Sequence, residues 1–321
     1  MDLPLEDKVE IGLSINITDP LEIRSTVEAL ERLQFDSLWV GDHVAFTLPM
    51  LDPLVQLTYA AAYSKTLKLG TGVYLLPLRH PAPVAKQAAS VDFLSQGRLI
   101  FGVGIGGEFP IEYELCEVPH NERGARLSEG LEILKRLWDG KTEAFEGRHY
   151  RLPEVEMTPA PHQPGGPPIW CGGRSEPALR RAAEMTDGWI AYVVTPEMYR
   201  SSLETIARHY RGGEHHRYRF ATDRFATDRF ATGHVLFIRM DDSYEAAYDY
   251  ANASLSHRYA MDFSRATKRY VALGTPSDVA ENMSQFIDAG VRHFACEILC
   301  EPEARLDALE QLASEVRPLV A

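Results

Sequence analysis

Short apolar runs alternate with helical patterns along the whole chain, and this alternation constrains the fold more than any other feature of the sequence. The runs are nearly continuous in apolar residues, which is typical of parallel strands that are buried on both faces. Each run is followed by a segment with helical periodicity. The predicted strands are residues 9–15, 37–42, 67–73, 98–104, 167–173, 187–193, 234–240 and 292–299.

Eight strand–helix units in 321 residues favour a closed (β/α)8 barrel, the TIM barrel, over an open sheet. We predict an α/β fold with insertions after the fourth and seventh strands, in one domain that covers residues 1–321. The first insertion contains a small hairpin at 142–152. In such a barrel the active-site residues belong at the C-terminal ends of the strands.

The stretch FGVGIGGEF places Gly102, Gly104 and Gly107 in the order G-x-G-x-x-G, which is the pattern of a dinucleotide-binding turn. A Rossmann turn requires a helix that begins within the glycines. Pro110 and the irregular residues after it argue against such a helix, and the next helix is predicted only near Glu122. We therefore interpret the glycines as the end of a barrel strand.

Composition and charge exclude several classes of partner. Apolar residues make up 45% of the chain, charged residues 25%, and the formal net charge is -13 with no dense Lys/Arg tract. This charge argues against a nucleic-acid or anionic-membrane partner, so an anionic ligand would have to be held locally. We recognise no secretory signal and no apolar run long enough to span a bilayer. The four cysteines lack zinc-site spacing, and we expect reduced thiols in a cytoplasmic protein.

Two clusters at predicted strand ends could carry chemistry. Asp42 and His43 stand at the end of the second strand, where an imidazole could transfer protons near neutral pH. A helix-capping Asp beside a structural His is the alternative. Gly72, at the end of the third strand, would let the backbone approach a flat ligand, although glycines there also form simple turns.

A third cluster could bind an anion. Gly172, Gly173 and Arg174 stand directly before a predicted helix, so that free N–H groups, the positive helix end and a guanidinium converge. Glycines used only for close strand–helix packing are the alternative.

Taken together, these clusters resemble the bacterial-luciferase-like family of flavin and deazaflavin oxidoreductases over nearly the whole chain. The resemblance implies a TIM barrel, often dimeric, that holds the isoalloxazine-type ring of FMN or of the deazaflavin coenzyme F420 at its C-terminal mouth. The matching segments, in order, are SLWVGDHV, LKLGTGV, HPAPVAKQAASVDFLSQGRLIFGVGIGGEF, ERGARLSEGLEILKRLWDG, PPIWCGGRSEPALRRAAEMTDGWI and GTPSDVAENMSQFIDAGVRHF.

The resemblance also implies roles for single residues. Asp42 and His43 match a catalytic acid-His pair near the ring, and Gly72-Val73 matches a pair that a cis peptide joins in deazaflavin-dependent members. Glu108 is a third catalytic candidate, as a proton donor, although it stands one place later than in some of those members. The implied cofactor-binding residues are Asp42, His43, Gly72, Val73, Gly104, Gly106, Gly172, Gly173 and Arg174.

The Gly-Asp-His-Val pattern resembles the deazaflavin branch, which implies hydride transfer between coenzyme F420 and a small organic substrate. The family resemblance also implies a homodimer. An FMN-dependent monooxygenase that receives reduced flavin from a separate reductase is the alternative. A non-catalytic flavin-binding barrel is less favoured, because it would need neither the acid-His pair nor the complete anion-binding turn. The loops at 44–52, 105–120 and 241–270 would form a partly apolar substrate pocket.

One segment has no role in this interpretation. Residues 219–233 are three near-identical five-residue copies, and a period of five suits neither helix nor strand, so we predict an exposed or disordered loop. We interpret the neighbouring His215-His216 pair as solvated surface and predict no metal site.

Overall fold

Eight parallel strands close into a barrel in the structure, a computed structural model that describes residues 3–211 and 229–320. Each strand pairs with its neighbour in chain order, and the eighth pairs with the first, Glu10 standing opposite His293. The predicted (β/α)8 barrel is therefore confirmed. The barrel strands, called first to eighth below, are Glu10–Ser14, Ser37–Val40, Lys68–Thr71, Leu99–Gly104, Ile169–Gly172, Gly188–Tyr192, Ala231–Met240 and His293–Ile298.

Helices surround the barrel, and many of them begin with a proline whose missing N–H costs nothing in the first turn. Asp52, for example, caps the helix at Pro53 by accepting from the N–H of Leu54 at 3.0 Å. The α-helices are Pro20–Arg32, Pro53–Ala61, Pro81–Leu94, Pro110–Leu115, Arg123–Trp138, Glu176–Met185, Pro196–His209, Tyr244–Tyr259, Ser264–Tyr270, Pro276–Ala289, Arg305–Gln311 and Arg317–Val320, with short helical turns at Leu76–Leu78, His120–Glu122, Pro302–Ala304 and Leu312–Val316.

Large side chains fill the inside of the barrel. The rings of Trp39 and Trp170 lie 5.1 Å apart there, packed with Ile190, Val235 and Ala295. Gly70 makes room for this cluster, because a Cβ at that position would collide with the ring of Trp39. The outward faces of the same strands are buried under the helices, which explains why the strand sequences are apolar throughout.

Insertions follow the fourth and seventh strands, as predicted. The first contains the short helix at Pro110, the helix Arg123–Trp138 and an antiparallel hairpin of Phe145–Glu146 with Arg151–Leu152. The predicted hairpin is thus confirmed. The second insertion contains two helices and a short strand, Val271–Gly274, that pairs with the end of the seventh strand.

The structure corrects three details of the sequence interpretation. Pro110 begins a six-residue helix, Pro110–Leu115, rather than preventing one, because proline is well suited to the first helical position. Val271–Gly274 is a strand that the sequence interpretation missed. The end of the five-residue repeat is also not a loop, since Phe230 is buried and Ala231–Gly233 belong to the seventh strand.

The rest of that repeat and the pair His215-His216 lie outside the described residues. All four cysteines have free thiols, and Cys171 and Cys296 are buried. Among the residues that the structure covers, no helix is both long and apolar enough to cross a membrane.

Candidate active site

A cavity of about 380 Å³ opens at the C-terminal ends of the barrel strands, where a TIM barrel carries its active site. It is large enough for a small ligand. All ten residues that the sequence singled out line it: Asp42, His43, Gly72, Val73, Gly104, Gly106, Glu108, Gly172, Gly173 and Arg174.

Asp42 is buried and bound on both carboxylate oxygens. Arg79 donates to Oδ2 at 2.5 Å and to Oδ1 at 2.9 Å, and the N–H of Leu75 donates to Oδ2 at 2.8 Å. Burial raises the pKa of Asp42, while Arg79 and the Leu75 amide act in the opposite direction. The hydrogen bonds of this carboxylate therefore connect the segment after the third strand to the end of the second strand.

His43 has a carboxylate partner that the sequence did not reveal. Its Nδ1 lies 3.1 Å from Oε2 of Glu112, which is buried in the short helix Pro110–Leu115. The other oxygen of Glu112 accepts from the N–H of Val44 at 2.6 Å and of Ala45 at 3.2 Å. Burial would raise the pKa of Glu112, but the bonds from His43 and the two amides outweigh it, so the pKa is lowered.

This arrangement fixes the tautomer of His43. An ionised carboxylate only accepts, so the contact with Glu112 requires a proton on Nδ1. The neutral ring then carries its lone pair on Nε2, the atom that can take a proton. An imidazole oriented by a carboxylate in this way is the arrangement that general bases use.

Aromatic side chains enclose the imidazole. Phe46 stacks on His43 with ring centroids 4.3 Å apart, and Phe109 packs edge-on at 5.3 Å. Tyr259, at the end of the helix Tyr244–Tyr259, lies 6.0 Å from Phe46. The three predicted substrate loops therefore do contribute to one partly apolar wall beside His43.

The glycines of the fourth strand make room for a bulge after the third. The Gly72-Val73 peptide is cis, as the resemblance implies. A Cβ on Gly104 would stand 2.5 Å from Cγ2 of Val73, and one on Gly172 would stand 3.0 Å from Cγ1. A Cβ on Gly102 would collide with the carbonyl oxygen of Thr71. The G-x-G-x-x-G pattern thus reflects close strand packing around Val73 rather than a dinucleotide-binding turn.

The turn after the fifth strand has the form that an anion site requires. Gly173 adopts a φ of 104°, which a residue with a side chain rarely adopts, and its carbonyl accepts from the indole N–H of Trp189 at 2.7 Å. The helix Glu176–Met185 begins just beyond it. Arg174 donates to the carbonyl of Val193 at 2.5 Å and keeps its remaining donors at the cavity wall.

The cavity wall also contains polar groups beyond the ten predicted residues. Arg258 forms an ion pair with Glu297 of the eighth strand, and the hydroxyls of Tyr192 and Tyr259 share a hydrogen bond. Oδ1 of Asn16 is buried at the wall with no partner among the described residues. Glu108, in contrast, is exposed at the rim.

Comparison with known proteins decides the family. The sequence profile of the luciferase-like monooxygenase family matches residues 10–296, from the first barrel strand to the eighth. The chain belongs to this family. The predicted family and barrel are confirmed.

Relatives of known sequence match the chain in two ways. An uncharacterised Mycobacterium tuberculosis (strain H37Rv) protein is 42% identical over 142 residues, which are 44% of this chain and 48% of that one. The oxygenase component of a flavin-dependent trigonelline monooxygenase from Acinetobacter baylyi is 32% identical over 48% of this chain and 43% of its own. The chain thus matches only about half the length of these relatives. An F420-dependent glucose-6-phosphate dehydrogenase from Nakamurella multipartita is 26% identical over 94% of both chains.

Solved structures agree on the fold. An F420-dependent secondary alcohol dehydrogenase superposes with a TM-score of 0.81 at 17% identity, over 98% of this chain and 99% of its own. The monooxygenase RslO1 from Streptomyces bottropensis superposes with a TM-score of 0.79 at 21% identity, over 97% of this chain and 100% of its own. At such identities the comparison bears on the fold alone.

Proposed function

We propose that this protein is a deazaflavin-dependent oxidoreductase that transfers a hydride between coenzyme F420 and a small organic substrate. The observation that carries the proposal is the His43–Glu112 pair at the cavity wall. Oxidation of a hydroxyl-bearing carbon removes one proton from the oxygen for every hydride that leaves the carbon. A site for this reaction therefore needs a base, and Nε2 of His43 has that role.

The residues at the cavity wall fit a coenzyme with a flat ring and a phosphate. Gly104 and Gly172 accommodate the side chain of Val73 at the cavity wall, and Oδ1 of Asn16 is a buried acceptor without a protein partner in the described chain. Arg174 and the N-terminus of the helix Glu176–Met185 offer positive charge and N–H donors to a phosphate. When bound, a deazaflavin supplies a ring carbon that accepts or donates hydride and reacts poorly with oxygen.

Side chains of the protein take up and return the proton. His43 takes the hydroxyl proton on Nε2 when the substrate is oxidised and returns it when the substrate is reduced. The ionised Glu112 stabilises the imidazolium that forms in between. Asp42 is already bound by Arg79 and Leu75, so we assign it a positioning role. Glu108, exposed at the rim, is a proposed second proton donor.

Replacement of His43 tests this assignment. We expect His43→Ala, assayed at saturating F420, to lower turnover by about 10²–10⁴-fold, the usual contribution of a general base. Turnover is measured by the loss of deazaflavin absorbance, and binding by fluorescence quenching. An unchanged turnover number in His43→Ala would remove the proposed role.

An FMN-dependent monooxygenase is the second candidate, and the similarity to the oxygenase component from A. baylyi favours it. In that case a separate flavin reductase would supply reduced FMN. Formation of an oxygenated product in the presence of reduced FMN and a reductase distinguishes the two candidates, since a deazaflavin enzyme forms none. A non-catalytic barrel is the least favoured, because it has no use for a buried carboxylate that orients His43.

A further inference from the structure

The arginines at the cavity wall differ in whether a carboxylate already stands beside them. Three arginines line the cavity in the part of the chain that the structure describes: Arg174, Arg258 and Arg305. Arg258 is paired with Glu297, and Arg305 contacts Glu22. Among the described residues Arg174 has only a backbone carbonyl as partner, and the proposed function assigns it to the coenzyme phosphate. The two arginines that remain for the substrate, Arg258 and Arg305, therefore each stand beside a carboxylate.

The pair of Arg258 and Glu297 lies near the reacting end of the cavity. Tyr259, the next residue after Arg258, contacts Phe46, which in turn stacks on His43. A single aromatic ring therefore separates Tyr259 from the imidazole. A substrate that reaches Nε2 of His43 is bounded by this wall of rings and by the neutral ion pair behind it.

The ion pair is largely withdrawn from water. Only 23% of the Arg258 side chain and 18% of the Glu297 side chain are exposed, and the charge of Glu297 raises the pKa of Arg258. Because Glu297 offsets the charge of Arg258, an incoming anion would meet no net positive charge at this pair. Glu108 at the rim adds a second negative charge. Burial of an unpaired charge is costly, so an anionic substrate would bind poorly.

We infer that the substrate is an uncharged hydroxy or oxo compound with an aromatic or aliphatic body, and that Glu297 sets this preference by neutralising Arg258. The nature of the reacting group rests on the proposed function, whereas the preference for uncharged ligands is a property of the cavity wall. The inference excludes a phosphorylated sugar, the substrate named for the N. multipartita relative.

A matched pair of probes tests the inference. 1-Phenylethanol and mandelate are both benzylic alcohols, but mandelate carries a carboxylate where 1-phenylethanol has a methyl group. Calorimetric titration with and without bound F420 measures their affinities independently of turnover. We expect the wild type to bind 1-phenylethanol at least ~10-fold more tightly, and Glu297→Gln to raise the affinity for mandelate by about tenfold.

Two further variants separate charge from folding. The double variant Arg258→Met/Glu297→Gln removes the freed guanidinium and should lose the gain in mandelate binding. Glu303→Gln alters an exposed carboxylate in the turn Pro302–Ala304 and should leave both affinities unchanged. Thermal denaturation of every variant establishes that it is folded at the temperature of the titration.

Three results would overturn the inference: equal affinity of the wild type for both probes, an unchanged mandelate affinity in folded Glu297→Gln, or binding of neither probe to the wild type. The proposed function is judged separately, by whether any alcohol reduces F420. An enzyme that reduces F420 only with anionic alcohols would retain the function and refute the substrate class.

Discussion

At the scale of single residues, the site consists of pairs whose members are distant in sequence. His43 and Glu112 are 69 positions apart, and Asp42 and Arg79 are 37 apart. Local motifs identify Asp42 and His43 because both stand at a strand end. No local pattern identifies their partners. The sequence around Glu112 has no clear helical period, and only the folded barrel brings Glu112 beside the end of the second strand.

Glu112 is predicted to act through His43 rather than on the substrate. In Glu112→Gln the neutral amide no longer requires a proton on Nδ1 and no longer stabilises the imidazolium. We expect kcat to fall by about 100-fold with little change in KM, and the acid limb of the pH–rate profile to move to lower pH. Steady-state kinetics across pH measures all three effects.

Glu114→Gln is the matched control, because Glu114 lies on the same short helix but is exposed. It should leave kcat and the profile unchanged. A Glu112→Gln enzyme with wild-type kcat and an unshifted profile would reduce Glu112 to a structural residue.

At the scale of secondary structure elements, carboxylates on helices hold the loops that enter the strands. Glu31, near the end of the helix Pro20–Arg32, accepts from the N–H of Lys65 at 2.7 Å and of Thr66 at 2.8 Å. The hydroxyl of Ser64 donates to the same oxygen at 2.6 Å. These bonds fix the loop that leads into the third strand, and hence the bulge that follows it.

Loss of this contact should destabilise the protein in a pH-dependent way. Burial acts to raise the pKa of Glu31, but the hydrogen bonds that Glu31 accepts together have the larger effect and lower its pKa to about 2. The contribution of Glu31 is therefore present above the unfolded pKa of 4.5 and is lost as the pH falls toward about 2. We expect Glu31→Ala to cost about 1–3 kcal/mol at neutral pH, as measured by urea denaturation.

Glu28→Ala provides the comparison on the same helix. Glu28 forms an exposed ion pair with Arg24, and such pairs contribute less than about 1 kcal/mol. Equal costs for the two variants at neutral pH would mean that the loop contacts of Glu31 contribute nothing beyond a surface charge.

The elements themselves were predictable to different degrees. Apolar runs located all eight barrel strands because each is buried on both faces. Val271–Gly274 was missed because four residues that follow a helix directly give no separate period. The start of the seventh strand was missed because a five-residue period gives no indication that Phe230 is buried.

At the scale of the whole molecule, a charge cluster joins the strands that close the barrel. His293 of the eighth strand places Nδ1 3.1 Å from Glu10 of the first strand and Nε2 against Glu6. Lys68 of the third strand also donates to Glu10, at 2.7 Å. The imidazole packs on Trp170 with centroids 4.8 Å apart, so the cluster forms the floor beneath the filled interior.

This cluster should contribute a pH-dependent part of the free energy of unfolding. Burial lowers the pKa of His293, but the bonds to Glu10 and Glu6 raise it by more, so the net shift is upward. Its contribution is present below the unfolded pKa of 6.5 and is lost as the pH rises through the folded value. Glu6 and Glu10 have lowered pKa values, so their contribution is lost at acidic pH.

We expect His293→Gln to cost about 3–5 kcal/mol near pH 6, as for a broken buried ion pair, and less at higher pH. Denaturant titrations at a series of pH values measure this difference. A cost that does not change with pH would mean that the pKa of His293 is the same in the folded and unfolded protein.

The barrel and its active-site end follow from the sequence, because periodicity and strand-end residues are local properties. The distribution of charge in the cavity does not, since the pairing of Arg258 with Glu297 depends on the second insertion. The homodimer implied by the resemblance stays a prediction.

The most direct test of the central claim is titration of the purified protein with oxidised F420 and, separately, with FMN. Trp39 and Trp170 lie at the base of the bulge at Val73, so their fluorescence should report on a ring bound there. The proposed function predicts micromolar binding of F420 and much weaker binding of FMN. Tighter binding of FMN would contradict it and would identify an oxygen-using monooxygenase instead.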